Sequence, residues 1–448
     1  MTEQQKLDGR DYISCLPDDI LLIILSKLNM REGAITTVLS TRWRNLWTLP
    51  SSILRLDASN LIPTNTHYVQ QYNKDYQGTA INIKFEDMVD KILRQYSGEV
   101  IDQLHISYIP CYYKVNKIIP REPWVQVDTW IEIAKQKSVQ TLDLSFERFK
   151  SSCYEFRSLK SLTSTTLLSL VTLLLKFPPA LSSIQISRFL SSFPNLEELS
   201  IVMPNSRLNR LMIEGPSLKL KHLEIIGLAI RFFSISAPNL VSFNFIGYRN
   251  IAEVCLENLP LLTQLSYSEF NYCKIQETNW FERSSSTPEF RIILRIPTAL
   301  TNLKQLNFTL GKAANGGLHS FFSLLEASPC LRKLWLNLGL FTCPLIPNQQ
   351  FGINQCLEEV EIEGFSGFDN EAQLVMCIAQ FSPLLKKIKI HSCLSKLSIS
   401  KKLEIYTKNY NVNVMSVVQL LQSSLPQLEF LIINEPKKVC KCCLLEPN

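Results

Sequence analysis

One short frame recurs along the chain and limits what it can fold into. It reads proline, one free residue, an apolar residue, two free residues, an apolar residue, one free residue and a third apolar residue. It occurs at Pro179…Leu181…Ile184…Ile186, Pro194…Leu196…Leu199…Ile201, Pro238…Leu240…Phe243…Phe245 and Pro260…Leu262…Leu265…Tyr267. It returns at Pro329…Leu331…Leu334…Leu336, Pro383…Leu385…Ile388…Ile390 and Pro426…Leu428…Leu431…Ile433. Seven of the 22 prolines open the frame, where random placement of apolar residues would give about two. Without the proline it fits Ile101…Leu104…Ile106, Val139…Leu142…Leu144, Leu220…Leu223…Ile225, Leu303…Leu306…Phe308 and Leu357…Val360…Ile362. Most frame starts are separated by 20 to 28 residues, and Leu159…Leu162 begins a degenerate copy inside one of the wider gaps.

The second and third apolar positions lie two apart, so both side chains fall on one face of a short strand. The residues between and before them, such as Glu197-Glu198, Arg332-Lys333, Glu358-Glu359 and Lys386-Lys387, then face water. A proline just upstream stops a preceding helix and sets an extended entry. Ser187–Phe193 and Leu318–Ala327 read as helical connections covering the outer side. A unit this small cannot bury its apolar face alone, and stacking the units makes one continuous core. The expected fold is therefore α/β: an irregular leucine-rich-repeat solenoid, a curved parallel sheet with helices or loops on its outer side. An ordinary wound α/β domain would not repeat one proline-anchored frame seven times. Composition agrees, with 68 leucines in 448 residues and only 14 glycines, about half the usual glycine share. Ser284–Pro288, inside the polar interruption Phe270–Arg295, and Gly311–Gly317 read as loops.

Residues 11–50 behave differently. Leu16-Pro17-Asp18-Asp19 reads as a helix start, with proline near the first helical position and two acids in the first turn. Ile20, Leu21, Ile24, Leu25 and Leu28 follow at helical spacing; a second helix carries Ala34, Ile35, Val38 and Leu39, and a third carries Arg42, Trp43, Leu46 and Trp47. Three short helices cannot bury this many apolar side chains among themselves, so a partner or the rest of the chain must cover some.

The run Asp11-Tyr12-Ile13-Ser14…Leu16-Pro17-Asp18-Asp19-Ile20-Leu21…Ile24-Leu25…Leu28…Val38-Leu39-Ser40…Arg42-Trp43-Arg44…Leu46-Trp47 resembles a plant F-box. Phe85–Leu93 resembles the amphipathic linker helix of the plant F-box/FBD/leucine-rich-repeat family, and Trp130–Leu144 the entry to its repeats. Leu357–Phe365 with Leu384–Ile388 resembles its C-terminal FBD region. Where that family has Leu-Pro between the first two helices, this chain has Asn29-Met30. The resemblance implies the substrate-recognition adaptor of an SCF-type cullin–RING ubiquitin ligase. The F-box would dock a Skp-like linker protein, and through it a cullin and a RING subunit, while the repeats hold a protein substrate. Carried over by motif, the docking residues are Leu16, Pro17, Ile20, Leu21, Ile24, Leu25, Val38, Leu39, Arg42, Trp43 and Trp47. No family residue is catalytic. The implied organisation is a flexible terminus (1–10), an F-box (11–55), a linker with an amphipathic helix (56–100), leucine-rich repeats (101–350), FBD-like repeats (351–434) and a Cys-rich tail (435–448). Two other classes stay open: a solenoid that senses a small ligand, and an interaction protein with no ligase role.

The rest of the sequence offers no chemistry that competes with an adaptor. The five histidines, His67, His105, His222, His319 and His391, show no metal spacing, and no phosphate loop, nucleophile elbow or dinucleotide fingerprint occurs. Neither a metal nor a cofactor is expected. A net charge of +6 does not call for nucleic acid, and Lys386, Lys387 and Lys389 read as solvated strand positions. Thirteen scattered cysteines form no disulfide framework, and the tail cluster Cys440, Cys442, Cys443 matches no zinc template. The most apolar stretch, Leu167–Phe177, is about half the ~20 residues a membrane span needs. A reducing cytoplasmic or nuclear setting with no membrane attachment is the expectation.

Overall fold

The computed structural model describes residues 12–13, 15–28, 32, 35–36, 38–48, 53–58, 74–96, 98–108, 123–146, 167–176, 182–215, 218–248, 253–270, 293–296, 299–310, 316–338, 353–365, 367–392 and 403–433. The degenerate copy at Leu159, the loop at Ser284–Pro288 and the Cys440–Cys443 cluster lie outside these residues, as does most of the second N-terminal helix. The chain forms two compact units, Met1–Pro179 and Ala180–Asn448, so the repeat stretch expected over 101–350 is shared between them.

The first unit begins with helices α1 (Asp18–Lys27) and α2 (Thr41–Thr48). Four parallel strands follow: β1 (Ile53–Asp57), β2 (Gln103–Tyr108), β3 (Thr141–Phe146) and β4 (Thr172–Lys176). Two apolar columns run across them in register, Leu54–Leu104–Leu142–Leu173 and Leu56–Ile106–Leu144–Leu175. Helix α3 (Lys74–Gln95) crosses from β1 to β2 and α4 (Pro123–Gln136) from β2 to β3. Phe85, Val89 and Leu93 of α3, and Val127, Trp130, Ile131 and Ala134 of α4, are buried at helical spacing. Phe85, Tyr108 and Trp130 pack ring on ring, with Tyr108 and Trp130 edge to face at 5.4 Å. Inside this apolar layer the Tyr108 hydroxyl donates to the fully buried Glu86 carboxylate. Asp90 accepts from Trp130 Nε1 at 2.9 Å and fixes the face α4 presents.

The second unit opens with α5 (Ser183–Ser192), then β5 (Glu198–Glu214), β6 (His222–Ser236), β7 (Ser242–Tyr248), β8 (Glu253–Glu257), β9 (Gln264–Phe270), β10 (Ile293–Arg295) and β11 (Gln305–Thr309). It continues with α6 (Gly316–Glu326), β12 (Lys333–Asn337), β13 (Glu359–Phe365), α7 (Asp369–Phe381), β14 (Lys387–Ser392), α8 (Leu403–Ser424) and β15 (Glu429–Ile433). Eight strands, β5, β6, β7, β9, β11, β12, β13 and β14, align the second and third positions of the frame. Leu199, Leu223, Phe243, Leu265, Leu306, Leu334, Val360 and Ile388 form one column. All eight are buried.

The proline has a sharper role than stopping a helix. In each Pro frame that leads into a strand, the N–H of the first apolar residue donates to the carbonyl of the residue before the proline. Leu196 bonds Phe193 at 3.0 Å, Leu240 bonds Ala237 at 3.1 Å and Leu331 bonds Ser328 at 3.2 Å. Proline thus occupies position i+1 of a β-turn, where its fixed φ is pre-set. At Leu357 a side chain replaces it: the buried Asn354 accepts from the N–H of Cys356 and Leu357 and donates to Ser328 O of the preceding turn at 2.8 Å.

Three expectations are corrected. The frame at Pro179 leads into no strand, because Ile184 and Ile186 lie on α5. Ser182 Oγ accepts from Gln185 N–H at 3.3 Å and Gln185 Oε1 accepts from Ser182 N–H at 2.8 Å, a capping box that starts a helix there. The outer side is not only helix and loop. The far halves of β5 and β6 pair with each other, β6 pairs β8 over Phe232–Ser236, and β8 pairs β10, giving a second parallel ladder. Gly227, at φ 81°, sits at the bulge where β6 turns from one ladder toward the other. Finally, β15 is shifted by one residue, so that Ile388 and Ile390 face Phe430 and Ile432 rather than Leu431 and Ile433. Phe430–Ile433 is apolar throughout, so either register offers the core an apolar side chain.

No helix among the described residues is long and apolar enough to cross a membrane.

Candidate functional site

Two surfaces carry the candidate function: the N-terminal helix pair and the solvent face of the strands. In the helix pair, Pro17 precedes α1 and Asp18 and Asp19 occupy its first turn, where acids suit the positive helix end. Arg42 at the start of α2 reaches back to that turn. Its Nε donates to Asp18 Oδ1 at 2.8 Å and its Nη2 to Leu16 O at 2.7 Å. Ser40 Oγ accepts from Trp43 N–H at 3.2 Å and caps α2. Leu21, Leu25, Trp43 and Leu46 form the buried core between the helices, with Leu16, Leu22, Ile24 and Leu28 packed against it.

This sorts the eleven residues expected to dock a partner. Leu21, Leu25 and Trp43 are buried, because they fill the helix–helix core. Leu16 and Ile24 are half-buried against that core, and half-buried Arg42 clamps the two helix starts. Pro17, Ile20, Val38 and Leu39 face water, with Val38 78% and Leu39 64% exposed. The Trp47 side chain lies outside the described residues. Ile13, Ile23 and Ile35 join the exposed apolar set although they were not singled out as docking residues. For Ile23 the signal was present in α1, which carries two apolar stripes: Leu21 and Leu25, four apart, turn inward, while Ile20 and Ile23, three apart, turn outward. A helix of ten residues packed on one neighbour can bury only one of them.

The second surface is the strand face opposite the apolar columns. On β12, β13 and β14 the outward residues are Lys333-Trp335-Asn337, Glu359-Glu361-Glu363 and Lys387-Lys389-His391, aligned strand to strand. Lys333 Nζ lies 3.5 Å from Glu359, and Lys389 also pairs with Glu359. The hydrogen bond from Lys389 holds the Glu359 carboxyl below its ordinary range, against the opposing effect of burial. The same bond holds the Lys389 ammonium above its ordinary range. Lys387 lies 3.6 Å from Glu429, and Lys386 lies 3.7 Å from Glu358. The lysines expected as merely solvated positions are thus cross-strand ion pairs. His391 Nε2 lies 2.8 Å from Glu361 Oε1 without the alignment of a hydrogen bond. In the first unit His105 Nδ1 lies 2.8 Å from Asp143, which also faces Lys176 at 3.5 Å. His222 contacts the Ser242 hydroxyl at 2.9 Å. These three histidines sit in sheet contacts; the His67 and His319 side chains lie outside the described residues. Among the described residues no three His, Cys, Asp or Glu side chains gather as a metal site would require.

Two family models match parts of the chain. The F-box domain family matches residues 13–55, and the family described as FBD-associated F-box protein At5g56370, LRR repeats, matches residues 127–293. The F-box/LRR-repeat protein At5g38396 of Arabidopsis thaliana is 25% identical over an alignment covering 91% of this chain and 99% of the relative. The F-box/LRR-repeat protein At3g26922 of the same plant is 27% identical over 64% of this chain and 90% of the relative. The FBD-associated F-box protein At5g56370 is 27% identical over 58% of this chain and 55% of the relative.

Proposed function

We propose that this chain, which is similar to plant F-box, FBD-associated and leucine-rich-repeat proteins, is the non-catalytic substrate-recognition subunit of an SCF-type cullin–RING ubiquitin ligase. The observation that carries this reading is the division of labour in α1 and α2. Leu21, Leu25, Trp43 and Leu46 make the helix core. Pro17, Ile20, Val38 and Leu39 remain outside it, with Ile13, Ile23 and Ile35 beside them. An apolar surface of this density on a small module marks a protein interface. A Skp-like linker covers it and brings the cullin and RING subunits. The repeats hold the substrate, with residues 351–434 as the FBD-like part and 435–448 as a tail. The complex acts in the cytoplasm or nucleus.

The chain itself moves no bond. Its contribution is to hold a substrate lysine near the charged conjugating enzyme, an effective concentration of about the mM range for a short flexible tether. The test is co-expression of the full chain with a plant Skp-like protein and capture on a tag carried by the chain. Val38→Asp with Ile20→Asp should abolish co-capture and leave the fold intact. Failure of the wild-type chain to hold any Skp-like partner would instead favour an interaction protein with no ligase role.

A further inference from the structure

Beside the ion pairs of β12–β14 lies an open depression of about 470 Å³. Its walls are Gln305 and Asn307 of β11, Lys333 and Trp335 of β12, Glu359 of β13 and Lys389 of β14. The charges here answer one another: Lys333 and Lys389 against Glu359, with Glu361 adding its field to Lys389. Two cations and two carboxylates leave no net charge for a ligand to neutralise. The groups left to offer are uncharged. Gln305 and Asn307 are exposed, and their side chains make no hydrogen bond among the described residues. Trp335 is half-buried next to them, with Asn307 aligned to it across the ladder.

The spacing adds a shape. Gln305 and Asn307 lie two residues apart on one strand, about 6.6 Å at the strand rise. That distance equals the repeat of residues i and i+2 in an extended peptide. A carboxamide both donates and accepts, so it can satisfy a backbone N–H or C=O of such a peptide. Indole offers a broad apolar face at low entropic cost and anchors interfaces.

We propose that this face binds an extended, uncharged stretch of substrate polypeptide, with Gln305 and Asn307 reading its backbone amides and Trp335 taking an apolar or aromatic side chain. The assignment rests on the adaptor reading, since it names the class of substrate segment the repeats receive. The segment lies along β11 and β12 beside the ion pairs, which act as a fence: a charged side chain placed there would lose hydration and find every counter-charge already engaged.

The test probes an array of acetylated, amidated octapeptides with the full chain purified by itself. The strongest peptides are then measured in solution by fluorescence anisotropy. Peptides without ionisable side chains and with one aromatic residue should dominate. Their affinity should change less than about twofold between 50 and 500 mM salt, because no ion pair forms on binding. Trp335→Ala should weaken binding about tenfold or more, and Asn307→Ala about threefold to tenfold. Asn307 is exposed, so its variant guards against a loss caused by misfolding. Preference for peptides bearing Lys, Arg, Asp or Glu, a tenfold salt dependence, no binding peptide, or unchanged binding by both variants would overturn the proposal. Skp-like capture of the same preparations separates the two readings. Capture without peptide binding removes this face and keeps the adaptor; peptide binding without capture does the reverse.

Discussion

Replacing Trp43 by alanine should disable the N-terminal module by a different route from replacing Val38 by aspartate. Trp43 is 4% exposed and shares a four-residue core with Leu21, Leu25 and Leu46. Truncating a buried tryptophan costs about 3–5 kcal/mol. A helical module of some 40 residues has about 2–6 kcal/mol of stability by the usual per-residue scale. The loss therefore takes most or all of what holds α1 against α2. Val38 is 78% exposed, and a surface change of this kind shifts folding by about 0.5 kcal/mol or less. Its charge would, however, be buried without a partner beneath a Skp-like protein, which costs at least about 2 kcal/mol, near a thirtyfold loss of affinity. Both variants should lose Skp-like capture. Limited proteolysis then separates them: Trp43→Ala should open cleavage sites within 12–48, and Val38→Asp should keep the wild-type pattern. Capture of Val38→Asp within twofold of wild type, or a Trp43→Ala chain as protected as wild type, would refute the reasoning.

Three further outcomes follow from the second unit. Asn354→Ala removes three hydrogen bonds that tie two consecutive turns together. With the site buried, the orphaned groups should cost about 2–4 kcal/mol in urea unfolding. The Glu359 carboxyl is held down by Lys389 and Lys333, so its stabilisation is present above its unfolded pKa, about 4.3, and is lost as pH falls through the lower folded value. Lys389 is held up, so its share is present below its unfolded pKa, about 10.4, and is lost as pH rises through the higher folded value. Glu359→Gln should flatten the dependence of the urea midpoint on pH at both ends. The Cys255 thiol is pushed up to about 11 by burial and by its hydrogen bond to Glu257. At pH 8 peptide mapping should find the exposed Cys15 and Cys330 alkylated by iodoacetamide long before Cys255, and equal rates would contradict that burial.

The sequence made the repeating frame legible wherever the frame determines its own neighbourhood, and it failed where a second local signal competes. Phe243 and Phe245, or Leu334 and Leu336, need only period two and a turn, and both pairs lie in the shared columns. At Pro179 the same apolar spacing is overridden by Ser182 and Gln185, because a capping box is satisfied within four residues while a strand must wait for a neighbour. The second ladder was invisible for the opposite reason. Glu253–Glu257 buries only the run Val254–Cys255–Leu256, too short a pattern to stand out, and its pairing depends on β6 running on past Gly227. The candidate sites divide in the same way. A motif match names Leu21, Leu25 and Trp43 together with Ile20 and Val38, because all hold the module's character. Only packing distinguishes side chains that make the module from side chains that it displays. The Trp335 face had no sequence signal at all. Gln305 and Asn307 come from one repeat and Trp335 from the next, and they share a surface only because the frame stacks them in register. In a solenoid the free positions between the apolar ones belong to columns, and a column is read across the repeats rather than along the chain.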